Sequence, residues 1–138
     1  MICLDTNIVI AALKSESSPA LIRVAQAMRE GMSIAVSTVV LHELYFGAAK
    51  SAQRERNTWR VAEFSSSSLQ VLDFDPDDAA EAGDIRAALK RLGTPIGPYD
   101  VLIAAQARRR GAVLITANTR EFARVPRLQI EDWTAPIN

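Results

Sequence analysis

Short apolar runs alternate with longer helical patterns along the chain, and this alternation restricts the possible folds more than any other feature. Five runs are short enough for buried strands and are predicted as such: Met1–Leu4, Ser33–Ser37, Leu69–Phe74, Ala112–Thr116 and Leu128–Ile130. Strands that alternate with helices favour a mostly parallel sheet covered by helices on both faces. We therefore predict a three-layer α/β/α fold with about five strands, formed by residues 1–138 as one domain.

Helical periodicity fills the intervals between these strands. The predicted helices are Thr6–Leu13, Ala20–Glu30, Val39–Lys50, residues 53–64, Pro76–Leu92 and Pro98–Arg110, followed by a short turn or helix at Arg120–Phe122. Trp59 and Phe64 are predicted to anchor the helix at residues 53–64. Ligands of parallel sheets bind beyond the carboxyl ends of the strands, near the point where the strand order reverses. Asp5 and Asn118 are expected there, because each follows a predicted strand.

Composition indicates a folded protein in a reducing compartment. Hydrophobic residues make up 49% of the 138, which is enough for a substantial core. No apolar run approaches the roughly 20 residues needed to cross a bilayer, and the first residues lack the basic start of a secretory signal. Cys3 is the only cysteine, so an intrachain disulfide is excluded, and its position predicts a small core residue. We expect a cytoplasmic protein with no membrane contact.

The charges are balanced overall but unevenly distributed. A formal net charge of zero argues against a protein that coats polyanions in general. Residues 86–127 carry nine Arg and Lys against two acids, or +7, whereas residues 1–85 carry seven against twelve, or −5. The last residues, from 128 onward, carry two acids, or −2. This asymmetry is compatible with a basic surface beside an acidic site, and equally with charges that only solvate helix faces.

Three carboxylates stand at positions where a ligand site is expected. Asp5 follows a strand, Glu43 interrupts an apolar helix face, and Asp100 begins a helix. Each has an ordinary structural explanation, as a helix cap, a solvated helix residue or a partner of the helix dipole. In one pocket, however, three carboxylates would repel one another, and they would therefore either have raised pKa values or bind cations. Since all the ligands are hard oxygens, Mg²⁺ or Mn²⁺ suits them better than zinc.

Four blocks of sequence carry a resemblance to a known family. They are LDTNIVIA at 4–11, STVVLHELYFGA at 37–48, GTPIGPYDVLIAAQA at 93–107 and LITANTREFARVPRLQIEDW at 114–133. In this order and spacing they resemble the PIN-domain ribonucleases, and in particular the VapC-type toxins of bacterial toxin–antitoxin pairs. The resemblance implies a PIN-like fold and a Mg²⁺- or Mn²⁺-dependent endoribonuclease that cuts RNA, with a tRNA loop as a reasonable target. It also implies a homodimer and a cognate antitoxin that covers the acidic site, for which an arginine among the carboxylates would be suited.

The same resemblance assigns roles to individual residues. Asp5, Glu43 and Asp100 match the family's catalytic metal ligands, and Asn118 occupies the block that holds its fourth acid. An amide adds no negative charge, so three carboxylates and one firmly held metal ion are expected. Thr6 and Thr116 fall in the same blocks and are expected to support the site with their hydroxyl groups.

Several other residues are candidates for RNA contact or catalysis, and each also has a simpler structural explanation. Arg86, Arg120, Arg124 and Arg127 are candidates for phosphate contact, or ordinary surface arginines. His42 adjoins Glu43, but adjacent helical residues point about 100° apart, which argues against a general base. Tyr99 is expected to pack against a neighbouring helix rather than to stack on a base.

Two other functions remain open from the sequence. Loss of the fourth acid at Asn118 would suit a catalytically weak scaffold that binds RNA or a partner. A phosphatase with Asp5 as its nucleophile is the less favoured alternative. The haloacid-dehalogenase pattern of such enzymes needs a second Asp two residues later, where this sequence has Asn7.

Overall fold

The structure is a computed structural model that describes residues 1–137. Its centre is a sheet of five parallel strands in the order β3-β2-β1-β4-β5. The strands are β1 (Ile2–Leu4), β2 (Ile34–Ser37), β3 (Gln70–Leu72), β4 (Val113–Ile115) and β5 (Gln129–Glu131). The chain starts in the middle of the sheet, adds β2 and β3 on one side, and then returns to add β4 and β5 on the other. The strand order therefore reverses between β1 and β4.

Within residues 1–137, seven helices connect the strands. They are α1 (Thr6–Lys14), α2 (Pro19–Arg29), α3 (Thr38–Ala49), α4 (Arg54–Ser65), α5 (Pro76–Arg91), α6 (Pro98–Arg109) and α7 (Thr119–Phe122). Because parallel crossovers are right-handed, the change of direction after β3 places α1–α4 on one face and the later helices on the other. The helix pairs that pack together agree, since α1 contacts α2 and α3, α3 contacts α4, and α5 contacts α6.

The predicted fold class is confirmed, and the sheet is entirely rather than mostly parallel. The last strand lies one residue later than predicted. Arg127 adopts a left-handed backbone conformation, φ 59°, and the ladder with β4 starts at Gln129. Buried residues of β1, β2 and β4 form the middle of the core, with Ile8, Leu89 and Phe122 from the surrounding helices. Among the helices of residues 1–137, none is both long and apolar enough to cross a membrane.

Of two predicted core side chains, Cys3 is buried and Trp59 is not. Cys3 is buried in β1 as expected, and burial raises the pKa of its thiol to about 11, so it stays protonated at neutral pH. Trp59 does not anchor α4, because its side chain is 63% exposed. The buried residue of α4 is Val61, about 200° further around the helix, while Phe64 packs partly against the core as predicted.

Candidate active site

Asp5 lies at the reversal of strand order, directly after β1. It is 4% exposed and forms the N-cap of α1, where its Oδ1 accepts a hydrogen bond from the Thr6 N–H at 2.8 Å. Its Oδ2 accepts a second bond from Thr116 Oγ1 at 2.8 Å, across the boundary between β1 and β4. Thr116 Oγ1 in turn accepts from the Asn118 N–H at 2.9 Å. The Asp5 carboxylate is therefore fixed in orientation by both neighbouring strand ends.

Glu43 reaches the same edge of the sheet from α3. Its Oε1 accepts a hydrogen bond from Thr6 Oγ1 at 2.7 Å, so the residue after Asp5 orients a second acid. Thr6 and Thr116, which were predicted to support the site, donate their hydroxyl hydrogen bonds to Glu43 and Asp5 respectively. Together they connect β1, α3 and β4 at one place.

Asp100 stands in the first turn of α6, which meets α3 at this edge of the sheet. His42 precedes Glu43 on α3, and Tyr99 precedes Asp100 on α6. The centroids of their rings are 5.2 Å apart, so the two helices are in contact beside the acids. Tyr99 therefore contacts the neighbouring helix, as expected, but it also remains 47% exposed. The contact of His42 with Tyr99 is in line with the argument that adjacent helical residues point in different directions.

A fourth carboxylate, Glu121, joins these three and was missed from the sequence. It lies in α7, where its Oε1 accepts a 2.5 Å hydrogen bond from the Gly97 N–H and its Oε2 accepts from the Asn118 amide. The expectation of only three carboxylates at this place is corrected, because the amide of Asn118 holds an acid rather than replacing one. The signal was available, since Glu121 follows Asn118 by three residues, or about one helical turn.

The four acids lie close enough for their charges to act on the ionisation of Asp5 and Asp100. Burial raises the pKa of Asp5, opposed by its bonds from Thr116 and Thr6, with the charges of Glu43 and Glu121 adding to the rise. Burial, followed by the charges of Glu121, Asp5 and Glu43, raises the pKa of Asp100 to about 7. Burial opposes ionisation of Glu121 as well, but hydrogen bonds from Gly97, Asn118 and Asp100 outweigh it and lower that pKa. The two shifts run in opposite directions, so the Asp100 carboxyl keeps its proton to a higher pH than the Glu121 carboxyl.

The donor atoms of the four acids are of the kind that suits a hard divalent cation. Between Met1 and Ile137, no three His, Cys, Asp or Glu side chains already form a group that could hold a metal ion. The carboxyl oxygens are instead engaged by Thr6, Thr116, Gly97 and Asn118. All four acids nevertheless offer only oxygen ligands, which Mg²⁺ and Mn²⁺ prefer, and their mutual repulsion favours a cation among them.

The predicted phosphate-binding arginines are dispersed. Arg124 is next to the site, since its charge lowers the pKa of Glu121 and its Nη1 donates to the Pro95 carbonyl at 2.9 Å. Arg120 and Arg127 are exposed on α7 and the turn that follows it. Arg86 lies on α5, where it lines a separate pocket of about 220 Å³ with Pro98 and other residues. None of the four acids lines this pocket.

A groove of about 300 Å³ opens beside Glu43 between α1, α3 and α4. Its walls are mostly apolar and include Ile10, Leu13, Leu44 and Val61. The acidic site therefore borders a mostly apolar groove at Glu43.

Comparison with known proteins agrees with this architecture. The family model described as the PIN domain matches residues 2–128. The chain is 46% identical over 131 residues to the tRNA(fMet)-specific endonuclease VapC of Shigella flexneri, covering 95% of this chain and 96% of that protein.

Solved structures give the same answer in three dimensions. The crystal structure of VapBC2 from Rickettsia felis, bound to a DNA fragment from their promoter, matches with a TM-score of 0.88 and 34% identity. That match covers 96% of this chain and 99% of the other. DNA-bound VapBC from Salmonella typhimurium matches with a TM-score of 0.85 and 44% identity over 96% of this chain and 97% of the other. The chain belongs to the PIN-domain family, and within it to the VapC-type endoribonuclease toxins of toxin–antitoxin pairs.

Proposed function

We propose that this ribonuclease hydrolyses RNA with Mg²⁺ or Mn²⁺ held by Asp5, Glu43 and Asp100, with Glu121 as a further carboxylate. The observation that carries the proposal is the convergence of four acids from four separate elements at the reversal of strand order. Parallel sheets place ligands at this point. Glu121 also removes the argument for an inactive scaffold, which depended on the missing fourth acid.

In this proposal the protein's own residues provide orientation and charge. Thr116 and the Thr6 N–H hold the buried Asp5 carboxylate, and Thr6 Oγ1 holds Glu43. Because the pKa of Asp100 is raised beside Glu121, a cation bound there would favour loss of the Asp100 proton. When bound, the metal ion would polarise the phosphodiester and lower the pKa of a water molecule beside it. Asn118 acts here as a support for Glu121.

The test compares Asp5→Asn with Asp84→Asn, which alters an exposed carboxylate on α5. We expect Asp5→Asn or a chelator to reduce RNA cleavage by at least about 100-fold, whereas Asp84→Asn cleaves like the wild type. Circular dichroism would show that both variants are folded. Undiminished cleavage by folded Asp5→Asn would refute the assignment of the site.

A tRNA is the proposed substrate. The relative from Shigella flexneri is named a tRNA(fMet)-specific endonuclease, and the similarity extends over nearly the whole of both chains. Sequence-specific proteins reach RNA bases most easily in single-stranded loops. We expect cleavage of tRNA(fMet) within a loop and much slower cleavage of elongator methionine tRNA, measured by mapping of fragment ends. Equal cleavage of the two tRNAs would contradict this specificity.

An antitoxin is proposed to occupy the groove beside Glu43. Its apolar walls suit an apolar face of a bound peptide, and a basic side chain at the end of that peptide could pair with the carboxylates. Gly47 lines the groove, and a β-carbon added to it would meet no atom within 4 Å, so Gly47→Phe should fill the open space. We expect this variant to cleave RNA but to resist inhibition by the antitoxin, whereas Ala49→Phe on the exposed part of α3 stays inhibited.

We further propose that residues 1–138 act as one nuclease domain and that two copies form a homodimer. The buried side chains form one continuous core from β1 to Val125, which supports the first part. Exposed apolar side chains, including Phe46 and Leu92, supply surface for the second. Light scattering during size-exclusion chromatography would detect the expected dimer, and a monomer at micromolar concentration would contradict it.

A further inference from the structure

Gly97 occupies a backbone conformation that does not require glycine. It is the N-cap of α6, with φ −57° and ψ 148°, and residues with a side chain adopt these values readily. By contrast, Gly31, Gly93 and Gly111 have positive φ, where glycine relieves backbone strain. The reason for a glycine at position 97 must therefore lie in the space around it.

That space is occupied by two acids of the site. A β-carbon added to Gly97 would lie 3.0 Å from Asp100 Oδ2 and 3.5 Å from Glu121 Oε1, and the first distance is shorter than ordinary van der Waals contact. The backbone N–H of Gly97 donates the 2.5 Å hydrogen bond to Glu121 Oε1 described above. Gly47 and Gly83 differ in this respect, since a β-carbon at either would have no atom within 4 Å.

We propose that Gly97 is a positioning residue for the metal-binding acids, because its missing side chain lets Asp100 and Glu121 approach each other while its N–H fixes Glu121. This inference rests on the proposed function. A β-carbon would require the Asp100 carboxylate to shift by a few tenths of an ångström, which would alter the spacing of the two acids without touching the substrate. Residues that orient metal ligands in this way commonly alter metal affinity by about 10- to 100-fold when they are replaced.

Two substitutions separate positioning from a merely structural role. Gly97→Ala and Gly97→Ser add the same β-carbon, but serine is also a favourable N-cap and should preserve or increase helix stability. If Gly97 positions the acids, both variants weaken Mn²⁺ binding by about tenfold or more. If the role is only structural, serine restores wild-type behaviour. Gly83→Ala, in the open part of α5, is the matched control and should bind Mn²⁺ like the wild type.

The experiment measures Mn²⁺ affinity of the full chain by calorimetry, together with thermal unfolding of each variant. The same substitutions are then made in the Glu121→Gln background, where a positioning effect should shrink because one of its two targets has changed. Unchanged Mn²⁺ affinity in folded Gly97→Ser, or a full additive loss in the Glu121→Gln background, would overturn the proposal. If the wild type cleaves RNA with Mn²⁺ while these variants bind it normally, only this inference fails. If the wild type neither binds Mn²⁺ nor requires it for cleavage, the proposed function fails and takes this inference with it.

Discussion

At the scale of single residues, the negative charges of the site oppose the ionisation of Asp5 and Asp100. Asp100 shows this most clearly, because burial and the charges of Glu121, Asp5 and Glu43 raise its pKa to about 7. An aspartate in the unfolded chain titrates near pH 4. The folded metal-free protein therefore binds a proton more tightly than the unfolded chain, and its free energy of unfolding falls as pH rises from about 4 to 7.

Asp100→Asn should stabilise the metal-free protein at alkaline pH. Asparagine cannot ionise, so the variant escapes the repulsion that the wild type acquires as pH rises through 7. We expect a gain in Tm on the order of 3 °C at pH 8 that disappears near pH 4, measured by thermal unfolding in the presence of a chelator. A lower Tm for Asp100→Asn than for the wild type at pH 8 would contradict the predicted sign.

Glu121 and Asn118 should differ in their importance for metal binding. Glu121 supplies a charge to the site, whereas Asn118 acts through its hydrogen bond to Glu121. We expect Glu121→Gln to weaken Mg²⁺ or Mn²⁺ binding by more than about tenfold and Asn118→Ala to weaken it less, measured by calorimetry. A larger effect of Asn118→Ala would indicate that Asn118, rather than Glu121, is the fourth residue of the metal site.

At the scale of elements, α6 carries the site at one end and a buried ionic cluster at the other. Asp78 in α5 is fully buried and accepts from Arg109 Nε at 2.7 Å and Arg110 Nη1 at 2.8 Å. It also forms a capping box with Asp75 at the start of α5. Burial disfavours the charge of Asp78, but the bonds from Arg110 and Arg109 outweigh it and hold its pKa well below the usual range. The cluster joins the end of α6 to the beginning of α5.

Asp78→Asn should destabilise the fold without changing the site. Removing the buried charge leaves two arginines without their main partner, and we expect a loss of about 2 kcal/mol in the free energy of unfolding at pH 7. Because the pKa of Asp78 is lowered on folding, its contribution is present above about pH 4 and is lost as pH falls further. Urea unfolding checks this against Asp77→Asn, whose side chain is 84% exposed and which should change stability by less than about 0.5 kcal/mol.

At the scale of the whole molecule, the basic segment contributes less free positive charge than its sequence indicates. Of the nine Arg and Lys in residues 86–127, three lie together near the end of α6 and pair with acids of α5 or its cap. Arg108 pairs with Glu81 at 3.3 Å, while Arg109 and Arg110 pair with Asp78. The exposed arginines near α7 are therefore the better candidates for contact with RNA.

RNA binding should depend only moderately on salt. If about four phosphates are contacted, the logarithm of affinity should fall with that of salt with a slope of about −3. We expect Arg120→Gln to reduce this slope by about 1, whereas Arg109→Gln lowers Tm and leaves the slope unchanged. Fluorescence anisotropy with the Asp5→Asn variant, which does not consume the RNA, measures the slope, and thermal unfolding measures Tm. Equal loss of slope in the two variants would show that the end of α6 also contacts RNA.

Most elements could be predicted because their signals are local. The apolar run before Asp5, the Asp75–Pro76 helix start and the glycine stop at Gly93 depend on neighbouring residues, and the structure places elements there. Trp59 is an exception to these local signals, because its large apolar side chain predicts burial but is exposed. Helix α4 instead turns Val61 toward α3, and only the packing of two helices decides which face is buried.

The sequence alone determined the fold class, the family resemblance and three of the four acids, because strand length, helix period and motif order are all written along the chain. The tertiary structure decided which side chains meet. Asp5, Glu43, Asp100 and Glu121 come from elements up to 116 residues apart. The shifted pKa values of Asp5, Asp100 and Glu121 arise only when burial, hydrogen bonds and neighbouring charges are combined. The closeness of Gly97 to Asp100 and Glu121 was also decided by the tertiary structure, because a local sequence pattern does not indicate which atoms lie within 4 Å of a glycine.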